Sequence, residues 1–162
     1  MVAGSFSHER KSRVSADRLW KAGVVDHELI PKLCSEHIAS LELLEGDGGV
    51  GSINKLTLTP AAKAPFSYVK DKVEVMDHEK HVYKYSVVEG GLLGLRLKSY
   101  SFEIKFEGCS DGGTVGKLTV EYDTIDDTLL SEEEQGHILG GILGMMEAVD
   151  GYLLANPTAY AN

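Results

Sequence analysis

Alternation of apolar and polar residues dominates the first 124 positions of the chain. Alternation with a period of two predicts β-strands, because successive side chains of a strand point to opposite faces of a sheet. Glycine- and aspartate-rich breaks between the alternating segments are typical of hairpin turns. The pattern predicts seven strands, over residues 2–14, 36–44, 52–59, 66–76, 80–89, 95–107 and 114–124.

Helical patterns occur in two places. After the first strand, Ser15 can cap a short helix from Ala16 to about Ala22, and a second short helix is predicted from about Asp26 to Leu33. Near the C-terminus Ser131 precedes three glutamates, which favour the positive end of a helix dipole. The helix that follows carries an apolar stripe, formed by Ile138, Leu139, Ile142, Met145, Met146, Val149, Tyr152 and Leu153.

A sheet of this size and one long amphipathic helix bury both apolar faces if the sheet curls around the helix. We therefore predict an α+β helix-grip fold. A seven-stranded antiparallel sheet would curl around the long C-terminal helix, and the two short helices would close one end. No internal repeat or linker divides the chain, so residues 1–162 are predicted to form one domain.

A glycine-rich loop at residues 46–51 resembles a phosphate-binding loop, but an alternating strand follows it. Phosphate loops need a helix N-terminus behind them to supply N–H groups and a dipole. We therefore interpret the loop as a hairpin connection whose glycines provide positive φ angles. The residues concerned are Gly46, Asp47, Gly48, Gly49 and Gly51.

Composition excludes several classes of function. A net charge of -9 opposes sequence-independent binding of nucleic acid, which depends on lysine and arginine. No apolar run approaches the length of a membrane span, and the first residues lack a signal core. Cys34 and Cys109 show no ligand spacing, and His78 and His81 lie in a turn, so no metal or cofactor is predicted. A cytoplasmic monomer without stable membrane insertion is expected.

The order of elements and four motifs resemble the plant pathogenesis-related class 10 proteins, the family of the major birch pollen allergen. The resemblance covers essentially the whole chain. Its motifs are the residues EGDGGVG at 45–51, PFSYVKD at 65–71, YKYSVVEGG at 83–91 and AVDGYLLA at 148–155, followed by Ala159 and Tyr160.

The resemblance implies a large apolar cavity between sheet and helix, open near the short helices, that holds amphipathic metabolites. Cytokinins, flavonoids, sterol-like molecules and alkaloids are the implied ligand classes, in a plant defence role. Period-two alternation places Asp71 on one strand face with Val69, Val73 and Val75. Asp71 would orient the ligand from this otherwise apolar face, unless it lies in solvent at a strand end. The candidate ligand-binding residues are Val69, Asp71, Tyr83, Tyr85, Tyr100, Phe102, Ile138, Ile142, Met145 and Met146.

Glycines add two further expectations. The long helix contains Gly136, Gly140, Gly141, Gly144 and Gly151, although each costs roughly 1 kcal/mol against alanine. They would leave room for a cavity, or allow close packing of the helix on the sheet. Gly23 either widens the cavity entrance or serves as a helix C-cap.

Other functions on this fold stay open as alternatives. A cavity enzyme of alkaloid-type metabolism would need a lysine, an acid and a tyrosine. The candidates are Asp71, Tyr83, Tyr85 and Lys98, if Lys98 faces inward. The ribonuclease activity proposed for the family would use Asp150 and Tyr152, but Lys98 replaces the required strand acid. The gate-loop and latch motifs of hormone-receptor relatives, which inhibit phosphatases, are not evident at residues 89–94.

Overall fold

The computed structural model describes residues 1–161 and has the predicted helix-grip architecture. Asn162, the last residue of the predicted domain, lies outside the described residues. The seven strands are β1 (Ala3–Ser12), β2 (Ile38–Glu45), β3 (Ile53–Leu58), β4 (Tyr68–Asp77), β5 (Val82–Gly90), β6 (Leu97–Gly108) and β7 (Thr114–Thr124). The α-helices are α1 (Ala16–Trp20), α2 (Leu29–Leu33) and α3 (Glu132–Ala155).

All strand pairs are antiparallel, in the order β1-β7-β6-β5-β4-β3-β2. Neighbours in the chain pair as hairpins, as the turn residues predict, while β1 joins β7 at the far edge. The buried residues of β6 and β7 alternate along each strand, so one sheet face forms the core. The helix α3 packs against that face through buried Ile142, Val149 and Leu153.

Helix α3 begins as predicted. The Ser131 hydroxyl accepts the backbone N–H of Glu134, and the Glu134 carboxylate accepts the backbone N–H of Ser131, which forms a capping box. The helix is long and apolar enough to cross a membrane by length and composition. The core helix of a globular protein has the same length and composition, and the apolar stripe of α3 packs on the sheet. The length and composition of α3 are therefore weak evidence for a membrane span.

The short helices differ from the prediction. The first α-helix is followed directly by a π-helical turn, Lys21–Val25, and the second begins at Leu29 rather than near Asp26. Asp26 ends the π-turn, and its Oδ1 accepts the backbone N–H of Glu28 at 2.8 Å. This side-chain bond favours a turn over helix at Asp26.

Contacts from distant elements hold the short helices in place. The Arg18 guanidinium donates to the carbonyl oxygens of Leu153, Asn156 and Ala159 at 2.8–3.1 Å, so it caps the end of α3. On the other side the Trp20 Nε1 donates to His78 Nδ1 at 3.0 Å. Together the two contacts hold α1 between the C-terminal end of α3 and the β4–β5 turn.

Candidate functional site

A cavity of about 150 Å³ lies between the concave sheet face and α3. Its floor is formed by apolar side chains of the strands, and Ile142, Met145, Met146 and Val149 of α3 cover it. Gly23, Asp26 and His27, all half-buried, line it from the segment that joins the short helices. The volume is close to that of a cavity that accommodates benzene, and it is smaller than the large cavity that the family resemblance implies.

An aromatic series forms one wall. The ring centroids of Tyr83 and Tyr85 lie 5.2 Å apart, and Tyr85 stacks on Phe102 at the same distance. Both tyrosines line the cavity, and no hydrogen bond within residues 1–161 engages their hydroxyls. Burial raises the pKa of both phenols, so they stay neutral and can donate to a ligand.

Asp71 also lies on the cavity wall. Burial raises the pKa of its carboxyl to about 7, although the neighbouring Asn54 side chain lowers it in part. Asn54 and Asp71 face each other directly in the β3–β4 ladder. The structure thus places the half-buried carboxyl on the cavity wall, within β4 and not in solvent at a strand end.

A second acidic group on the cavity wall, Asp26, lies at the end of the π-turn. Burial alone would raise its pKa, but hydrogen bonds from the Tyr160 hydroxyl and from the backbone N–H groups of Glu28 and Leu29 lower it below the usual value. The bond to Asp26 raises the pKa of Tyr160 to about 12. This contact ties the C-terminal segment to the turn that borders the cavity.

Six of the ten candidate ligand-binding residues line the cavity: Asp71, Tyr83, Tyr85, Ile142, Met145 and Met146. The other four do not line it and pack beside it in the core: Val69, Tyr100, Phe102 and Ile138. Phe102 lies under the Tyr85 ring, and the Tyr100 hydroxyl accepts the backbone N–H of Leu92 at 2.9 Å. These two aromatic rings support the cavity wall from behind and do not line the cavity themselves.

Strand β4 explains one error of the period-two pattern. The pairing with β5 shifts by one residue between Val73 and Val75, so the two valines do not share a face. Val73 is fully buried, whereas Val75 is exposed and Met76 turns towards the core. The shift cannot be read from alternation, because an extra residue leaves the local composition unchanged.

Several cavity residues were missed by the motif-based prediction, among them Arg10, Asn54, Leu56, Ile104, Phe106 and Gly116. The signal was present in the alternation of residues 52–59, which places Asn54 and Leu56 on one face. Asn54 is only 4% exposed, and a buried amide on a cavity wall is an unusual feature. Two of the family motifs lie on β4 and β5, and the neighbouring strand β3 carries none.

The glycines of α3 do not make room for the cavity. Gly136, Gly140, Gly141, Gly144 and Gly151 are all exposed, and a Cβ atom at any of them would meet nothing within 4 Å. They lie on the solvent side of the helix, away from the apolar stripe. Neither the cavity nor close packing on the sheet therefore requires them.

Gly23 behaves differently. It lines the cavity within the π-turn and does not have a positive φ angle, so it is not a left-handed C-cap. A Cβ atom there would lie 3.9 Å from Val149 Cγ1, an ordinary contact at the cavity rim. The structure thus excludes the left-handed C-cap interpretation and places Gly23 on the cavity wall.

The residues expected for catalysis are not brought together. Lys98 is exposed and does not line the cavity, so the set of lysine, acid and tyrosine is incomplete. Asp150 is 8% exposed, and its carboxylate accepts hydrogen bonds from Ser12 and, at 3.3 Å, from Arg10. With Lys98 in the place of the second acid and Asp150 held by these partners, the ribonuclease arrangement is not formed.

The glycine-rich loop connects β2 and β3, as predicted. Gly46, Gly48 and Gly51 have φ angles of 89°, 99° and 90°, which only glycine adopts without strain. The backbone N–H groups of Gly48, Gly49 and Gly51 donate to Ser52 Oγ, Asp47 Oδ1 and the Val73 carbonyl oxygen. Because these donors are used inside the protein, the loop does not form a phosphate cradle.

Within residues 1–161 no group of three or more histidine, cysteine, aspartate or glutamate side chains could hold a metal ion. His78 Nδ1 instead accepts the indole N–H of Trp20, and the His81 ring packs 5.4 Å from the same indole. The two histidines of the β4–β5 turn therefore contribute to packing around the tryptophan.

Comparisons with known proteins agree with this fold. The chain is 40% identical over 161 residues to pathogenesis-related protein 1 of Asparagus officinalis, covering 99% of both chains. It is 38% identical to the major pollen allergen Bet v 1-M/N of Betula pendula, over 96% of this chain and 97% of the relative.

Solved structures with a similar fold include Ara h 8.0201. It superposes with a TM-score of 0.82 at 33% sequence identity, over 96% of this chain and 100% of the other. Norcoclaurine synthase from Thalictrum flavum has a TM-score of 0.78 at 27% identity, over 94% of this chain and 87% of the enzyme. The model of the pathogenesis-related protein Bet v 1 family matches residues 1–156. The chain therefore belongs to the pathogenesis-related protein Bet v 1 family.

Proposed function

We propose that this protein binds a small, largely apolar metabolite in the cavity between the sheet and α3. The observation that carries the proposal is the composition of the wall, where aliphatic and aromatic side chains surround a few polar groups. Such a wall binds the apolar part of a ligand by burying it. Hydrogen bonds to Asp71, Tyr83 or Tyr85 would orient the ligand. Family membership supports the proposal, because the resemblance implies ligands of this kind.

The size of the cavity narrows the class of ligand. About 150 Å³ accommodates a single substituted ring, whereas most ligand pockets have about 300–1,000 Å³. A flavonoid or sterol-like molecule would require α3 or the short helices to move outward. Met145 and Met146 cover the space, and their flexible side chains can adapt to different apolar shapes. The defence role, the cytoplasmic location and the monomeric state stay predictions.

Replacing Gly23 by leucine tests the proposal. The new side chain starts at the cavity rim beside Val149, so it should occupy the entrance and weaken binding of a single-ring probe such as benzyl alcohol at least tenfold. Calorimetry or ligand-observed NMR measures the dissociation constant.

The matched control is the same substitution at Gly144, which lies on the outer face of α3 and should leave the dissociation constant unchanged. Equal affinities in both variants and the unmodified protein would show that the probe binds elsewhere. No measurable binding to the unmodified protein would contradict the proposal itself.

One observation favours a catalytic second candidate. A carboxyl with a pKa of about 7, next to two neutral phenols, is suited to proton transfer near neutral pH. One structure of norcoclaurine synthase that resembles this chain, with a TM-score of 0.73 at 27% identity, is described in complex with dopamine and hydroxybenzaldehyde. A condensation in the cavity would use Asp71 as the base. Lys98 would take no part, because it is exposed and does not line the cavity.

The catalytic candidate predicts that the protein speeds the consumption of hydroxybenzaldehyde by dopamine and that Asp71→Asn removes the acceleration. Liquid chromatography of the products follows the reaction, and buffer alone gives the background rate. A rate equal to that background would exclude this reaction. A rate that Asp71→Asn leaves unchanged would exclude Asp71 as the base.

A further inference from the structure

Asn54 has a buried acceptor that the protein leaves unused. The side chain is 4% exposed, and its Oδ1 atom has no hydrogen-bond partner among residues 1–161. It is the sole buried side-chain polar atom in that range without a partner. An unsatisfied buried acceptor is destabilising. Above the Asp71 pKa of about 7 the facing carboxyl has no proton to donate, so the acceptor stays unpaired unless another molecule supplies a donor.

The unused acceptor lies beside a second acceptor on the same wall. Asn54 and Asp71 are direct partners in the β3–β4 ladder, and both line the cavity. Asn54 Oδ1 can only accept, and an ionised Asp71 carboxylate can only accept. A ligand that satisfies both must therefore present at least two hydrogens on one small group.

The charges around this pair favour a cation. Of the other ionisable groups on the wall, Arg10 is paired with Asp150, and Asp26 accepts the Tyr160 hydroxyl. His27 is half-buried in the segment before α2, and the residues contributed by α3 are apolar. The neutral rings of Tyr83 and Tyr85 complete the surroundings, and aromatic faces attract cations.

We propose that Asn54 and Asp71 together form a subsite for a protonated primary amine carried on a compact apolar body. The inference rests on the proposed function of the cavity as a small-molecule site. An ammonium group has three donors and no acceptor, so it satisfies both oxygens at once. A hydroxyl offers a single hydrogen and leaves one oxygen unpaired. The cavity volume limits the apolar body to about one ring.

Benzylamine and benzyl alcohol test this inference as a pair, because they share a ring and differ in the polar group. At pH 8 benzylamine is protonated, and we expect it to bind at least tenfold more tightly than benzyl alcohol. Asn54→Leu removes the amide while keeping a side chain of similar length. It should weaken benzylamine about tenfold and change benzyl alcohol less than threefold.

A measurement on the unmodified protein guards against a misfolded variant. Benzylamine affinity should fall as the pH is lowered from 8 to 6, because protonation of Asp71 removes the negative charge, whereas benzyl alcohol affinity should stay constant. Arg10, Asp26, His27, Tyr83 and Tyr85 also face the cavity. Measuring benzylamine affinity over the same pH range with the Asp71→Asn variant separates the contribution of these groups from that of Asp71. In this variant the pH dependence of benzylamine affinity should disappear.

The outcomes separate this inference from the proposed function. Binding of neither compound would contradict the cavity function. Binding of benzyl alcohol with equal or greater affinity than benzylamine would overturn the amine subsite and leave the cavity function intact. Tight benzylamine binding that Asn54→Leu does not weaken would overturn the role of Asn54.

Discussion

Replacing Asp71 by asparagine is expected to stabilise the protein by about 2–4 kcal/mol at pH 8. The carboxyl has a pKa of about 7 in the folded protein against an ordinary value of 3.8. A difference of about three pKa units corresponds to about 4 kcal/mol, and partial contact with solvent reduces it. Asparagine keeps the shape and a polar group facing Asn54 but carries no charge to bury.

The direction of the pH dependence follows from the proton balance. Between pH 3.8 and about 7 the folded protein holds a proton on Asp71 that the unfolded chain has already released. The stability contributed by this group is therefore fully present below pH 4, is lost as the pH rises towards 7, and is constant above that. Asp71→Asn should remove this decrease, so the two proteins differ most at alkaline pH.

Urea unfolding at half-unit pH intervals from 4 to 8.5 measures the effect. Glu74→Gln provides a matched control, since Glu74 is an exposed carboxylate on the same strand. It should leave the pH profile of the free energy of unfolding unchanged between pH 6 and 8. If Asp71→Asn gave the same profile as the unmodified protein, Asp71 would be ionised in solvent, contrary to the cavity geometry.

Three alanine substitutions on the outer face of α3, at Gly136, Gly140 and Gly144, should together stabilise the protein by about 2–3 kcal/mol. Each glycine costs roughly 1 kcal/mol in a helix interior because its backbone loses more freedom on folding. None of the three has a positive φ angle, all are exposed, and a Cβ atom would meet no neighbour within 4 Å. Alanine therefore brings no clash to offset the gain.

The expected rise of the melting temperature is roughly 5–10 °C for a domain of this size, measured by differential scanning calorimetry. Gly90→Ala is the opposite control. Gly90 has a φ angle of 73°, and a Cβ atom would lie 2.5 Å from the Tyr68 carbonyl oxygen, so this variant should be destabilised. No increase from the triple variant would show that the outer face of α3 is not solvated helix. Ligand binding should be unchanged, because these glycines are remote from the cavity wall.

The fold was predictable because its signals are local. Alternation along the strands, the capping box at Ser131 and the positive-φ glycines of the 46–51 loop each depend on a few neighbouring residues. The predicted strands agree with the observed ones to within two residues at every end. The family motifs then connect these elements in a known order.

The sequence by itself determined the seven strands, the long capped helix, the family, and a polar Asp71 on an apolar strand face. The tertiary structure decided what faces the cavity. The register shift in β4 turned Val75 outward, the pairing of β3 with β4 set Asn54 against Asp71, and the placement of α3 left its glycines in solvent. These outcomes depend on how far the helix stands from the curled sheet and on which strands meet. The position of the helix and the pairing of the strands are set by contacts between residues that are distant in the chain. A local sequence pattern therefore cannot predict them.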